Sequence, residues 1–109
     1  MSDIHQLYSQ AEKLKDEGKQ EEAVAVLESV LKLDPNHVLS HLTLGRVLTQ
    51  LGRHEAAIEH SQKACEIEPH DAFNFTALSV TLQKAFAGTG ERRYIQLAED
   101  AMAQARSMH

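Results

Sequence analysis

The segment Leu33-Asp34-Pro35-Asn36-His37 returns 34 residues later as Ile67-Glu68-Pro69-His70-Asp71. Other residues recur with the same period: Gly18 as Gly52, Ala23 as Ala57, and Leu14 as Leu48 and then Leu82. A 34-residue period is typical of helix-turn-helix units that stack into a solenoid. The sequence therefore predicts an all-α fold that offers an extended surface rather than an enclosed catalytic site.

The bulk composition argues against several classes of protein. The 109 residues carry a net charge of −5, so no basic surface for nucleic acid is predicted. The chain has no apolar run long enough to span a bilayer, and its first residues lack the features of a signal peptide. The only cysteine, Cys65, excludes an internal disulfide and is expected to be a small buried hydrophobe. These features predict one soluble, cytoplasmic domain over residues 1–109, with no nucleic-acid or membrane partner.

Apolar spacing predicts six helices. Their expected bounds are about 3–17, 20–33, 37–51 and 54–67, then a fifth helix beginning after residue 71, and a sixth over about 91–108. Gly18 and Gly52 supply the left-handed residues that end the first and third helices. Asn36 is a plausible N-cap for the third helix, and Asp71 can cap the fifth.

The third repeat carries an insertion. The signature leucine and the signature alanine are nine residues apart in repeats 1 and 2, but Leu82 and Ala98 are sixteen residues apart. The seven added residues include Gly88-Thr89-Gly90, which is a loop signal. The pattern leaves open whether the insertion lengthens the fifth helix or forms a loose loop.

These residues resemble the tetratricopeptide repeat family, whose motif is W-x₂-L-G-x₂-Y, then A-x₃-F, then P. The first-helix signature reads Leu7, Gln10, Ala11, Leu14 in repeat 1, His41, Leu44, Gly45, Leu48 in repeat 2, and Phe75, Leu78, Ser79, Leu82 in repeat 3. The second-helix signature reads Ala23 and Leu27, Ala57 and Ser61, then Ala98 and Met102. The resemblance implies three antiparallel helix pairs, at about 4–37, 38–71 and 72–109, stacked in a right-handed superhelix.

The chain departs from the family pattern in two informative ways. Ser61 stands where the motif has a bulky aromatic residue, so the core is expected to be thin there. Arrays of this kind usually end in a polar capping helix, and none follows the third repeat. The sixth helix is therefore expected to leave an apolar stripe uncovered, made of Ile95, Met102, Ala105 and Met108.

In this family the first helix of each repeat lines a concave groove that holds a partner peptide. By phase, the resemblance implies a groove that contains Tyr8, Glu12, Leu39, Leu42, Arg46, Thr49, Phe73, Thr76 and Val80, together with His5, Lys15 and Gln83. Leu39, Leu42, Phe73 and Val80 are expected to form an exposed apolar patch, which typically marks a partner site. The alternative is that neighbouring side chains partly bury them.

The favoured function is therefore a protein–protein interaction module that binds a peptide or helix, with Arg46 orienting an acidic group. Leu42 and Phe73 are expected to supply most of the affinity. The alternative is a homo-oligomer, for example a homodimer, in which groove or C-terminal helix surfaces cover one another. A family subgroup binds chaperone tails through a clamp of lysines, asparagines and an arginine. The matching positions, Tyr8, Glu12, Thr43, Phe73 and Ala77, hold none of these residue types, so no such ligand is predicted.

No motif points to catalysis or to a resident metal. His37 and His41 have a spacing that can hold one face of a metal ion, and His5 or His70 could approach in space. Packing of His41 between helices is the stronger interpretation. Cys65 has no partner pattern of a nucleophile, and Gly88-Thr89-Gly90 lacks the surroundings of a phosphate loop. The sequence predicts a protein that is not an enzyme and has no metal or cofactor.

Overall fold

The computed structural model describes residues 3–108, so Met1, Ser2 and His109 of the expected domain lie outside the described residues. Across residues 3–108 the chain forms six α-helices and no strand. They are α1 Ile4–Asp16, α2 Gln20–Leu33, α3 Val38–Gln50, α4 His54–Ile67, α5 Ala72–Thr89 and α6 Arg93–Arg106. Each odd-numbered helix packs against the next helix, and successive pairs pack on one another. The fold is the all-α helical solenoid that the 34-residue period predicts, and none of the described helices is long and apolar enough to cross a membrane.

Side chains just before α3 and α5 accept hydrogen bonds from the first turn of each helix. The Asp71 carboxylate accepts from the Phe73 N–H at 2.9 Å, as predicted. The prediction for Asn36 was wrong, because His37 is the N-cap of α3. The Asn36 N–H instead donates to the Asp34 carboxylate at 3.0 Å, which holds Asn36 in the preceding turn.

The insertion lengthens the first helix of the third pair: α5 has 18 residues where α1 and α3 have 13, while α6 has 14 residues, as α2 and α4 do. Of the two alternatives that the sequence left open, the structure has the longer fifth helix, because Gly88 and Thr89 lie within α5. Gly90 ends α5 with a φ of 76°, as Gly18 and Gly52 do near the ends of α1 and α3 with φ values of 80° and 77°. Four of the added residues precede Gly90 and three follow it. With about 3.6 residues per turn, the four residues added before Gly90 give α5 about one more turn, so it keeps the same side towards its partner.

The added turn of α5 packs against the start of α4. A Cβ on Gly88 would lie 2.5 Å from Nε2 of His54, so only glycine leaves room for this ring. On the other side, Tyr94 is buried in the same core cluster as Leu82 and Ala85. The insertion is therefore largely helical and is flanked by the buried Tyr94, while residues 87–93 around Gly90 are exposed.

Small signature residues lie where the two helices of a pair come into close contact. A Cβ on Gly45 would lie 2.6 Å from Oγ of Ser61 and 3.5 Å from the carbonyl oxygen of Ala57. In the third pair, the Ser79 hydroxyl donates to the carbonyl oxygen of Ala98 at 2.8 Å. A small residue on the first helix thus lies over the signature alanine of the second helix in both pairs.

We expect Gly45→Ala to lower the free energy of unfolding by about 1 kcal/mol, because its methyl group displaces the buried Ser61 hydroxyl. In the Ser61→Ala background the same change should be neutral or stabilising, since alanine favours a helix over glycine by about 1 kcal/mol. Urea unfolding of the four proteins measures this coupling. An equal cost in both backgrounds would show that the Ser61 hydroxyl is not the limiting contact.

Candidate partner-binding groove

Helices α3 and α5 contact each other and border a hollow of about 240 Å³, which we call the central hollow. Six of the residues expected in the groove line it: Leu42, Arg46 and Thr49 from α3, and Phe73, Thr76 and Val80 from α5. The three residues from each helix share one face because they recur at helical spacing. The central hollow lies between the first helices of repeats 2 and 3, where the family resemblance implies a groove.

The central hollow reaches Ser61 on α4. Ser61 is fully buried, and its Oγ lies 3.1 Å from Oγ1 of Thr81 on α5. The family motif has a bulky aromatic residue at this position. The small Ser61 side chain therefore leaves space that an aromatic ring would occupy, and the expected thinning of the core takes the form of this hollow.

The hydroxyl groups of three threonines in the wall of the central hollow are hydrogen-bonded within their own helices. Each hydroxyl donates to the carbonyl oxygen four residues earlier in its helix, at 2.7 Å for Thr49, 3.1 Å for Thr76 and 3.0 Å for Thr81. Such bonds within a helix leave no hydroxyl donor that a ligand must satisfy. An apolar group can therefore enter the hollow without leaving these donors unpaired.

The apolar residues of the groove differ in exposure. Leu39, Phe73 and Val80 are 54%, 56% and 41% exposed, as expected for a partner surface. The expectation for Leu42 was wrong, because it is only 6% exposed. Since α3 contacts α5 directly, the Leu42 side chain is covered and contributes only a small area to the wall. Phe73 is therefore the main accessible apolar contact beside the hollow.

A second hollow, of about 360 Å³, adjoins the first and shares Leu42 and Phe73 with it. It contains Leu39 and has acidic residues in its wall: Asp34, Glu68 and Asp71. The central hollow instead has two basic residues, Arg46 and Lys84. We call the two hollows together the groove. Its apolar middle thus lies between a basic side and an acidic side.

Sequence analysis missed Lys84. Its signal was its position four residues after Val80, which places both side chains on the same face of α5. The family motif does not include this position. Lys84 shares a face with Val80 only because α5 extends beyond residue 84.

The residues expected from repeat 1 line neither hollow. The Tyr8 hydroxyl lies 2.8 Å from Oγ1 of the buried Thr43, and the Tyr8 ring lies 5.4 Å from that of His37. These contacts tie α1 to α3. Glu12 is exposed on α1, and Gln83 lies at a different hollow between α5 and α6. Repeats 2 and 3 therefore build the groove that the geometry defines.

His41 and His60 form a pair that the spacing of His37 and His41 did not indicate. His41 Nε2 lies 2.8 Å from the carbonyl oxygen of Pro35, and its Nδ1 lies 3.0 Å from Nδ1 of His60. Since Nε2 must donate to the carbonyl, Nδ1 of neutral His41 accepts and His60 donates. Neither His5 nor His70 takes part in this pair. Within residues 3–108 no three His, Cys, Asp or Glu side chains gather as metal ligands.

The His60 pKa is lowered from the ordinary value of 6.5. Burial is the largest cause, and the neighbouring His41 adds to it. The carboxylates of Glu28 and Glu59 act in the opposite direction but do not outweigh the burial. The pair thus holds His60 in its neutral form more strongly than an unfolded chain would.

Cys65 is buried on α4, as expected. Burial, with a smaller contribution from Glu66, raises the pKa of its thiol to about 11. The thiol is therefore protonated at neutral pH and is a poor nucleophile.

The tetratricopeptide repeat family model matches residues 14–74, more than half of the chain, and the chain belongs to this family. Protein CTR9 homolog of Arabidopsis thaliana is 34% identical over 71 residues, which are 65% of this chain and 6% of that protein. Superkiller protein 3 of Saccharomyces cerevisiae is 41% identical over 51 residues, which are 47% of this chain and 4% of that protein. The chain therefore spans only a small part of these curated relatives.

Solved structures show the same fold. The type III secretion translocator chaperone SycD of Yersinia enterocolitica has a TM-score of 0.81 at 21% identity, covering 96% of this chain and 73% of that chain. YrrB, described as a TPR protein with an unusual peptide-binding site, has a TM-score of 0.66 at 18% identity, covering 92% of this chain and 58% of its own. At such identities the similarity shows the helical solenoid fold and carries no ligand with it.

We expect stability to fall as the pH drops below about 6.5, because the folded state disfavours the His60 proton that the unfolded state accepts. A lowered histidine pKa contributes stability above the unfolded pKa and loses it as the pH falls towards the folded pKa. Thermal unfolding between about pH 7 and 5 measures the effect. His60→Gln, which can still donate to His41, should show a flatter pH profile. An unchanged slope would exclude His60 as the titrating group.

Proposed function

We propose that this chain is a protein–protein interaction module that holds a peptide or helix of a partner protein in the groove. The observation that carries the proposal is the central hollow, where Phe73 and Val80 are exposed beside the space left by Ser61. Tetratricopeptide repeat proteins are typically scaffolds for protein interaction and not enzymes. The peptide-binding site described for YrrB supports the same use of the fold here.

The volume of the central hollow suits one apolar side chain of the partner. Burying a leucine or phenylalanine side chain contributes about 1.5–3 kcal/mol, and Phe73 offers an aromatic wall for it. The threonine hydroxyls do not oppose this burial, since they are already bonded within their helices. We propose that this anchor supplies most of the affinity.

The charges beside the groove set the polarity of the ligand. Arg46 and Lys84 would face acidic groups next to the apolar anchor, and the acidic wall around Glu68 would favour a basic group further along. A segment with an acidic part, an apolar anchor and a basic part therefore fits in one direction only. Charge of this kind fixes register and orientation more than it adds affinity.

Self-association is the alternative expected from the sequence, and a surface outside the groove is available for it. The outer side of the third helix pair lines its own hollow, and that hollow shares no lining residue with the groove. Self-association and peptide binding therefore do not compete for the same side chains.

Peptides selected from a random display library should contain an apolar residue with acidic residues beside it. Phe73→Ala should weaken their binding about tenfold, because it removes the accessible wall of the hollow. Arg46→Glu should remove the preference for acidic residues. The matched control is Leu33→Ala, which truncates an exposed apolar residue that lines neither hollow.

Titration calorimetry with the selected peptides measures each affinity, and the circular dichroism of each variant confirms that it is folded. Equal affinity for Phe73→Ala and the parent chain would place binding elsewhere and overturn the proposal. Selection of no peptide at all would also argue against it.

A further inference from the structure

The outer side of the third helix pair, which we call the C-terminal face, lines a hollow of about 830 Å³. Its wall comes from α5 (Ser79, Gln83, Phe86) and from α6 (Ile95, Ala98, Glu99, Met102, Arg106). In the first two pairs, the following helix packs against the second helix of the pair, α3 against α2 and α5 against α4. No described helix packs on the C-terminal face in this way.

The C-terminal face carries charge where the first pair is apolar. Glu99 and Arg106 occupy the positions that Val24 and Leu31 hold in α2, counted from the signature alanines Ala23 and Ala98. An apolar helix laid on this face would leave a carboxylate and a guanidinium without partners. The occupant must therefore bring one charge of each sign to match them.

The two charges are arranged symmetrically about an apolar residue. Glu99 precedes Met102 by three residues and Arg106 follows it by four, so they are about 10 Å apart along α6. Ile95, Glu99, Met102 and Arg106 alternate spacings of four and three, which is the spacing of a seam between two packed helices. A twofold axis near Met102 would bring Glu99 of one copy opposite Arg106 of the other, twice.

We propose that the C-terminal face is the interface of a homodimer, in which α6 packs antiparallel against α6 of a second copy of this chain. An interface with twofold symmetry must be complementary to itself, and this face has the required pairing of opposite charges around an apolar centre. Met102 packs near the axis, and Ile95 and Phe86 extend the apolar contact. Because the groove lies on other residues, each copy keeps its groove open.

Charge reversal tests the pairing. In a dimer of Glu99→Arg chains, two arginines would face each other at both ends of the interface, and in a dimer of Arg106→Glu chains two glutamates would do so. Each variant alone should raise the dimer dissociation constant about tenfold or more. An equal mixture of the two variants should dimerise again, because every arginine then faces a glutamate.

Light scattering and sedimentation over a concentration series measure the association of the full chain. The matched control is Asp100→Arg, which reverses an exposed charge on α6 that does not line this hollow and should leave the dimer unchanged. Raising the salt concentration should weaken the parent dimer, since the charges lie at the surface. Circular dichroism confirms that each variant remains helical.

Three results would overturn the proposal. They are a parent chain that is monomeric at its highest soluble concentration, a dimer that neither charge reversal weakens, and mixed variants that do not associate. A dimer broken by Phe73→Ala and not by the charge reversals would place the contact in the groove instead. Peptide binding to the groove is measured separately, so failure of the dimer does not decide the proposed function.

Discussion

The close crossing of two helices within a pair sets the spacing on which the rest of the solenoid depends. Gly45 lies over the carbonyl oxygen of Ala57, and the Ser79 hydroxyl binds that of Ala98. A larger side chain at either first-helix position would push the helices apart. Because the next pair packs on both helices of the previous one, a change in this spacing would pass along the stack.

Buried polar groups fix how one pair sits on the next. His41 at the start of α3 binds the carbonyl oxygen of Pro35, and Asn74 at the start of α5 donates towards the carbonyl oxygens of Ala64 and Glu68 at 3.3 Å. Each of these side chains therefore joins the start of one helix to backbone carbonyls at or just beyond the end of the helix before it. With the stack held in this way, the small side chain of Ser61 leaves a defined hollow instead of allowing the helices to collapse together.

The repeat period predicted the helix order and the pairing because both follow from sequence spacing. The family resemblance placed the candidate groove residues on one face of α3 and one face of α5, since a face is set by phase along a helix. The burial of Leu42 was not predictable, because it depends on how closely α5 lies over α3. The capping role of His37 was not predictable either. It depends on the turn before α3, in which the Asp34 carboxylate accepts the Asn36 N–H and His37 Nδ1 accepts the Ser40 N–H. Lys84 was not predicted as a groove residue because it lies outside the family motif.

The third pair shows how a hairpin of this solenoid changes length. Its insertion adds about one turn to α5 before Gly90, and the signature residues Ser79 and Ala98 still face each other across the pair. One or two extra residues in a single helix would rotate every later side chain by 100° or more, which would take Tyr94 or Ala98 out of the core. Adding about one whole turn therefore lengthens α5 without turning its buried side away from its partner. The Gly90 end of the pair is where further turns could be added while the helices below it stay in register.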